Sequence, residues 1–327
     1  MKHAHTKLAL GGALALAVAV SAGAAHAADK ITIASSHKGS WSTAMGIYAQ
    51  EQGFFKAEGI EAKIIWTRGG SDAQQAIISN AAQIAPQTGI LGVVSAYAKG
   101  APIRIIGAAM TGSGGLYWYV KADSKLKSLK DATANHTMGF SRPGSSTNLV
   151  SAALKAMYKS KIKLKPAGGP TGTLTQVMSG QLDVGWASPP FGLDKVAKGE
   201  IRIIAKGDEV PSVKAQTIRV FAANANWLKN NRDVAKRAMR AMWKATEWIY
   251  KDPKAIDAYV KLARKVSKAD AMRVRDEFVP LKSYAYAPIG DLDTTIKQAL
   301  QFKRLKKPLT KAQIDDMIQI VYEPKLM

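Results

Sequence analysis

The sequence predicts an α/β protein of two units, each a mostly parallel sheet flanked by helices. Apolar strand segments alternate with helical segments in two series, which span about residues 31–108 and 116–205. This β-α-β order is typical of mostly parallel sheets with helices on both faces. Two strand segments, 116–121 and 217–222, connect the units. We therefore expect two lobes that face each other across a cleft, with a hinge formed by the two connecting strands.

The first series begins with a strand at Ile31 and Ile33, followed by a loop at 35–42 and a helix that ends near Gly53. Apolar and polar residues alternate again at 60–66, which indicates a second strand. Ser71 lies three residues before Gln74, and this spacing predicts a capping box at a helix start. The series continues with a strand at 82–85, a helix at 89–98 and a strand at 103–108.

The second series contains a strand at 116–120, four further strand segments and two helices, with a capping box predicted from Thr173 to Gln176. The strands are at 136–140, 161–165, 183–187 and 201–205, and the helices at 145–158 and 173–180. After Asn226 the chain is nearly all helical, and a last capping box is predicted from Thr310 to Gln313. We assign residues 28–116 and 221–327 to the first lobe and 117–220 to the second.

Residues 1–27 have the pattern of a cleaved secretory signal peptide. Lys2 and Lys7 flank a basic start, an Ala-rich apolar run follows, and Ala25-His26-Ala27 has small residues where a signal peptidase requires them. The apolar run is too short for a membrane-spanning helix, which needs about 20 residues. We expect cleavage after Ala27 and export of the protein.

The composition excludes several function classes. The chain has no cysteine, which excludes disulfides, thiol catalysis and cysteine-ligated metal sites. Its formal net charge is +23, but the basic residues are spread along the chain, and export argues against nucleic acid as a partner. We interpret this charge as a solvated surface whose field favours anions. No phosphate-binding loop, nucleophile elbow or metal-ligand pattern is present, so we expect a non-enzyme without cofactor or metal.

The strongest candidate site is the predicted helix start at Ser145, Ser146 and Thr147. Backbone N–H groups at a helix start have no intrahelical partner, and the helix dipole is positive there. The first turn contains no acidic residue, so an anionic ligand group fits this position. The alternative is ordinary N-capping by these hydroxyls. Arg142 could add a bidentate contact or simply face solvent, and Thr111 and Ser113 at the first connection could bind ligand or shape a turn.

Several segments resemble the periplasmic solute-binding proteins of ABC importers, of the sulfonate/nitrate/taurine (NMT1/THI5-like) type. They are "AQEQGFFKAEGIEAKII" at 49–65, "QTGILG" at 87–92 and "SGQLDVGWASPPFGL" at 179–193. The resemblance covers nearly all of residues 30–325. It implies the two-lobed type 2 binding-protein fold, with lobes that close on a small solute and deliver it to a membrane permease. It further implies a monomer, and it places the loops around Gly39, Ser40 and Trp41 and around Gln87 and Thr88 in the cleft.

One departure from the family pattern bears on the ligand. Where relatives often have an acidic residue between aromatic residues, this chain reads Ser188-Pro189-Pro190-Phe191. A cationic ligand therefore loses its usual partner, and Ser188 becomes a candidate contact for an anion. We expect a receptor for a small organic anion such as a sulfonate, taurine or an aromatic carboxylate. The alternatives are a receptor for a pyrimidine precursor of thiamine and, with less support, an enzyme of the same fold.

Overall fold

A computed structural model of the protein describes Met1 and residues 27–263 and 266–324. The predicted signal peptide lies outside the described residues apart from its two end residues, so its cleavage stays a prediction. None of the helices in the described part is long and apolar enough to cross a membrane.

The strands form a five-stranded sheet in the first lobe and, in the second lobe, a three-stranded and a two-stranded sheet joined by one isolated bridge. The strands are β1 (Asp29–Ser36), β2 (Ile60–Thr67), β3 (Ile84–Gly89), β4 (Ile103–Thr111), β5 (Tyr117–Lys121), β6 (Thr137–Phe140), β7 (Lys163–Pro166), β8 (Gly185–Ala187), β9 (Ile201–Lys206) and β10 (Thr217–Asn224). The first sheet has the order β2-β1-β3-β10-β4. In the second lobe, β5 pairs with β8 and β9, β6 pairs with β7, and a parallel bridge from Met138 to Val184 joins the two groups.

In each lobe a single antiparallel strand is inserted into an otherwise parallel sheet. Strand β10 is antiparallel to both β3 and β4, and β5 is antiparallel to both β8 and β9. The mostly parallel two-lobe architecture expected from the sequence is thus confirmed. Both inserted strands are the ones that the sequence analysis assigned to the hinge. Each lies wholly within one sheet, so the chain crosses between the lobes through the neighbouring segments at 112–116 and 207–216.

The helices cover the sheets and extend the first lobe. They are α1 (Met45–Glu51), α2 (Phe54–Ala57), α3 (Gly70–Ile78), α4 (Ile90–Ala98), α5 (Ser146–Met157), α6 (Pro170–Met178), α7 (Leu193–Ala197), α8 (Pro211–Lys214), α9 (Ala225–Asn230), α10 (Arg232–Lys251), α11 (Ala255–Ala263), α12 (Lys268–Arg273), α13 (Leu292–Gln301) and α14 (Lys311–Met317). Helices α10 and α13 pack against α1 and α4, so the C-terminal helices lie on the first lobe. The proposed lobe boundary after residue 220 falls inside β10, which pairs with β4 along its length.

Two of the three predicted capping boxes are wrong. Helix α3 begins at Gly70, and the Gln74 amide instead donates to the carbonyl of Gly89 at 3.0 Å. Helix α6 begins at Pro170, whose ring favours the first helical position, so Thr173 lies inside the helix. The Thr310–Gln313 box is confirmed, with both reciprocal hydrogen bonds formed.

Candidate functional site

A cavity lies between the two lobes, where strands from both sheets end. Its residues follow the carboxyl ends of β1 and β3 in the first lobe and of β6 and β8 in the second. This is the position where open α/β sheets bind ligands. It is lined by Ser36, His37, Ser40, Ser42, Thr43, Gly70, Gln87, Gly89, Ser141, Ser145, Ser146, Thr147, Trp186, Ser188 and Arg219.

Most of these lining residues are serines and threonines, and none is acidic. A hydroxyl can donate or accept a hydrogen bond and carries no charge, so these side chains add polarity without repelling an anion. Several of them bond to each other across short distances, such as Ser145 Oγ and Thr147 Oγ1 at 2.9 Å. The surface of the cavity is therefore polar, with its charge set by the few ionisable residues that line it.

The dominant charge is Arg219, a buried cation that the sequence analysis missed. Its side chain projects from β10, its Nε donates to Ser146 Oγ at 3.1 Å, and its Nη1 donates to Ser42 Oγ at 2.9 Å. No carboxylate forms an ion pair with it among the residues that the structure describes. Burial lowers the pKa of Arg219 to about 10, so the side chain stays protonated at neutral pH. The cavity thus contains a positive charge whose visible partners are neutral hydroxyls.

The start of helix α5 brings a second positive feature to the same place. Ser145 is the N-cap, and its Oγ accepts a hydrogen bond from the Asn148 N–H at 3.2 Å. Ser146 does not cap the helix, because its Oγ accepts from Arg219. The first turn carries no acidic residue. The positive end of the helix and the Arg219 guanidinium therefore lie close together, and the Ser146 hydroxyl connects them. An anion between them would be stabilised by both.

His37 lines the cavity as a neutral residue. Burial and, secondly, the charge of Arg219 lower its pKa from 6.5 to about 4. Its ring contacts Trp186 of the second lobe edge-on, with ring centroids 5.7 Å apart. The His37 ring is therefore uncharged at neutral pH and can act as a hydrogen-bonding group in the cavity.

Two residues of the cavity have strained backbones. His37 and Gln87 have φ values of 50° and 60°, in the left-handed region that costs a non-glycine residue about 1–2 kcal/mol. Such outliers concentrate at functional sites, where surrounding structure holds them in place. The close approach of the second lobe adds to this constraint: a Cβ on Gly89 would lie 2.6 Å from the Ser146 nitrogen.

Contacts between the lobes hold the cleft closed. Ser40 Oγ and Ser188 Oγ lie 3.3 Å apart, and Ser71 Oγ donates to the Pro143 carbonyl at 3.3 Å. At the rim, the Arg142 Nε of the second lobe lies 3.0 Å from Asp72 Oδ1 of the first. The structure therefore represents a closed arrangement of the two lobes.

The structure brings six of the predicted site residues together in the cavity. They are Ser40, Gln87, Ser145, Ser146, Thr147 and Ser188. Arg142 lies at the rim and pairs with Asp72. Contact of any of these residues with a ligand stays a prediction.

Five other candidates do not line the cavity. Trp41 is fully buried in the first lobe, where its Nε1 donates to Tyr250 Oη at 2.9 Å and its ring packs edge-on against Tyr259. The Gly39 carbonyl accepts from Tyr259 Oη, and Thr88 Oγ1 donates to the Val220 carbonyl. Thr111 and Ser113 lie in a separate surface pocket at the first crossing. Trp41, Gly39 and Thr88 are instead engaged by residues that lie far away in the sequence.

Ser42 and Trp186 are among the further lining residues of the cavity that the sequence analysis did not select. Ser42 and Trp186 gave no local signal, because a lone serine and a buried tryptophan are common in any fold. Arg219 did give one, since it is the single charged residue of "TIRVFAAN", a strand that is otherwise apolar or neutral. A charge in a buried strand needs a partner, and this rule would have selected it.

Comparison with known proteins identifies the family of the chain. The profile of NMT1/THI5-like proteins matches residues 41–256, about two thirds of the sequence. The chain belongs to the NMT1/THI5-like family. No curated protein sequence matches it.

Solved structures similar to this NMT1/THI5-like chain show the periplasmic-binding-protein fold. A Candida albicans gene product described as having that fold has a TM-score of 0.72 and 14% identity, with 91% of this chain and 98% of that chain covered. The alkanesulfonate-binding protein SsuA from Xanthomonas axonopodis pv. citri, bound to MOPS, has a TM-score of 0.71 and 13% identity. The match covers 88% of this chain and 97% of SsuA. The nitrate-binding protein NrtA from Synechocystis has a TM-score of 0.65 and 12% identity. The match covers 89% of this chain and 86% of NrtA.

Proposed function

We propose that this NMT1/THI5-like protein is the periplasmic substrate-binding component of an ABC importer, which captures a small organic anion between its lobes. The classes we favour are sulfonates, taurine and aromatic carboxylates. The observation that carries the proposal is Arg219, a buried cation in the cleft with hydroxyl partners and no acidic one. The relatives of this fold include a protein described as alkanesulfonate-binding and one described as nitrate-binding.

The energetics of Arg219 support an anionic ligand. Burial of a guanidinium without a counter-charge costs several kcal/mol, even after the protein relaxes around it. An anion that enters the cleft offsets this cost and accepts hydrogen bonds from the guanidinium and the start of α5. Binding at this point would connect Arg219 and Ser42 of the first lobe with Ser146 of the second, and would therefore favour the closed arrangement.

The surroundings of the cavity support an organic ligand over a bare inorganic ion. Ala187 and Pro190, on either side of Ser188 in the chain, line a second cavity that also includes Tyr119, Leu174 and Phe191. Most of its lining is apolar, so the body of a ligand that extended from Arg219 into this neighbouring cavity would meet apolar surface.

The alternative of a pyrimidine receptor predicts different chemistry. An aminopyrimidine needs acceptors for its amino group and, when protonated, a carboxylate. Asp72, an acid at the rim of the cleft, is already paired with Arg68 and Arg142. We therefore expect an aminopyrimidine to bind less tightly than an anion.

Native mass spectrometry of protein purified without denaturation tests the proposal directly, because a retained solute is identified by its mass. In parallel, thermal shift with an alkanesulfonate, an aromatic carboxylate and an aminopyrimidine compares the classes. A stabilising effect of the aminopyrimidine alone would overturn the proposal. For the periplasmic location, N-terminal sequencing of the exported protein should begin at Ala28-Asp29, and an exported protein that still begins at Met1 would contradict it.

A further inference from the structure

One acceptor in the cavity is left without a donor. Gln87 is 5% exposed, lines the cavity, and lies near the end of β3 in the left-handed conformation noted above. Its Nε2 donates to the Ala109 carbonyl at 3.2 Å. Its Oε1 is buried and has no hydrogen-bond partner among the described residues.

The orientation of this amide is determined by its neighbour. If the amide were turned over, Oε1 would face the carbonyl oxygen of Ala109, and two acceptors would be in contact. The bond from Nε2 to Ala109 therefore leaves Oε1 as the free end of the side chain. Unlike a serine hydroxyl, this oxygen cannot rotate into a donor role.

Arg219 and the start of α5 do not need a donor from outside, whereas the neutral His37 ring carries one acceptor nitrogen beside its N–H. Arg219 has only donors, and so do the backbone N–H groups at the start of α5. The hydroxyls of Ser42 and Ser146 accept from Arg219 and can themselves donate to a ligand. Among the buried side-chain atoms of the described residues that line the cavity, Gln87 Oε1 is thus the acceptor without a hydrogen-bond donor, while Arg219 and the start of α5 favour an anion.

We propose that the ligand carries an O–H or N–H donor in addition to its anionic group, and that Gln87 selects for this donor. The inference rests on the proposed function and narrows its substrate class to hydroxylated or amino-substituted organic anions. A plain alkanesulfonate or carboxylate would satisfy Arg219 but leave Oε1 buried and unpaired. Sites built to bond a substrate donor discriminate strongly against analogues that lack it, because the protein group then stays unsatisfied.

Matched anion pairs test this inference by isothermal titration calorimetry. The pairs are 2-hydroxyethanesulfonate with ethanesulfonate, 3-hydroxypropanesulfonate with propanesulfonate, and glycolate with acetate. Within a pair the anionic group is the same, and the chain lengths vary the distance from anion to donor. We expect the hydroxylated member of at least one pair to bind about five- to one-hundred-fold more tightly than its partner.

Two variants test whether Gln87 causes the difference in affinity within each pair. In Gln87→Met the hydroxylated and plain members should bind with similar affinity, because the acceptor is replaced by an apolar chain of similar length. Gln298→Met is the matched control, since Gln298 is also a buried glutamine but bonds to Gln216 outside the cavity. This control should keep the discrimination of the parent protein.

The outcomes separate the two proposals. Equal affinities within all three pairs, or tighter binding of the plain members, would overturn the inference and leave anion capture intact, with Oε1 then satisfied by solvent. If no anion of the series binds although another anion stabilises the protein in the thermal-shift screen, the inference is overturned and anion capture stands. If no anion binds in either experiment, the proposed function fails, and the inference fails with it. The comparison of pairs on the parent protein remains decisive even if Gln87→Met does not fold.

Discussion

Replacement of Ser146 by aspartate should stabilise the unliganded protein and abolish anion binding. The Ser146 Oγ lies 3.1 Å from Arg219 Nε and belongs to the first turn of α5. A carboxylate there supplies both the missing counter-charge for the guanidinium and the missing acid at the helix start. It also occupies the donors that we assign to the ligand.

The stabilisation can be worked from this geometry. At about 4 Å and an effective dielectric constant of about 20, the attraction to Arg219 is about 4 kcal/mol before the carboxylate is desolvated. A hydrogen bond to a charged group has a net value of about 1.5–3 kcal/mol, and the helix dipole adds about 0.3–1 kcal/mol. We therefore expect a net gain of about 2 kcal/mol, which raises the melting temperature of a protein of this size by about 4 °C.

Ser146→Asn is the matched control, because asparagine has the size of aspartate without its charge. The Asp variant should melt several degrees above the Asn variant by scanning calorimetry. Its affinity for the anion found in the thermal-shift screen should fall at least a hundredfold, since like charges in a closed cleft cost several kcal/mol. If Ser146→Asp binds that anion as tightly as the parent, the serines at 145–147 only cap the helix and the anion binds elsewhere.

Three further predictions follow from the same residues. Arg219→Met should leave the melting temperature of the free protein unchanged or higher, because the variant removes an unpaired buried charge and keeps a similar side-chain volume. Anion affinity measured by calorimetry should fall at least about a hundredfold, and unchanged affinity would exclude Arg219 from the site. His37→Asn should remove part of the acid sensitivity. The pKa of His37 is about 4 in the folded protein and 6.5 in the unfolded chain, so the unfolded state takes up the proton first as the pH falls. The free energy of unfolding of the parent protein therefore declines by up to about 3 kcal/mol between pH 6.5 and pH 4. If the free energies of unfolding of variant and parent, measured by denaturation, change equally over this range, His37 is not the source of the acid sensitivity. Asp72→Asn should weaken closure by about 0.2–1 kcal/mol, seen as a loss of affinity of up to about fivefold that disappears at high salt. The control is Asp315→Asn, which removes the exposed ion pair between Lys311 and Asp315 in α14. Equal effects of the two variants would show that the pair of Asp72 and Arg142 does not stabilise the closed arrangement.

The sequence by itself determined the features that depend on local pattern. The alternation of strands and helices follows from hydrophobic period, and the last capping box follows from two side chains three residues apart, Thr310 and Gln313. Where the helix start depends on a glycine or a proline outside the box, as in α3 and α6, the same signal failed. The helix start at Ser145 and the absence of an acid in its first turn were also visible in the sequence, because both are properties of consecutive residues.

Only the tertiary structure decided which polar residues meet in the cleft. Trp41 lies in the core because Tyr250 and Tyr259, some two hundred residues later in the chain, pack against it. Arg219 was visible as a lone charge in an apolar strand, but its partners come from Ser42 in the first lobe and Ser146 in the second. A local pattern specifies that a group is buried, whereas the charge or hydroxyl it meets depends on how two lobes fold against each other. The anion site is therefore a property of the closed pair of lobes, and no single segment of the sequence contains it.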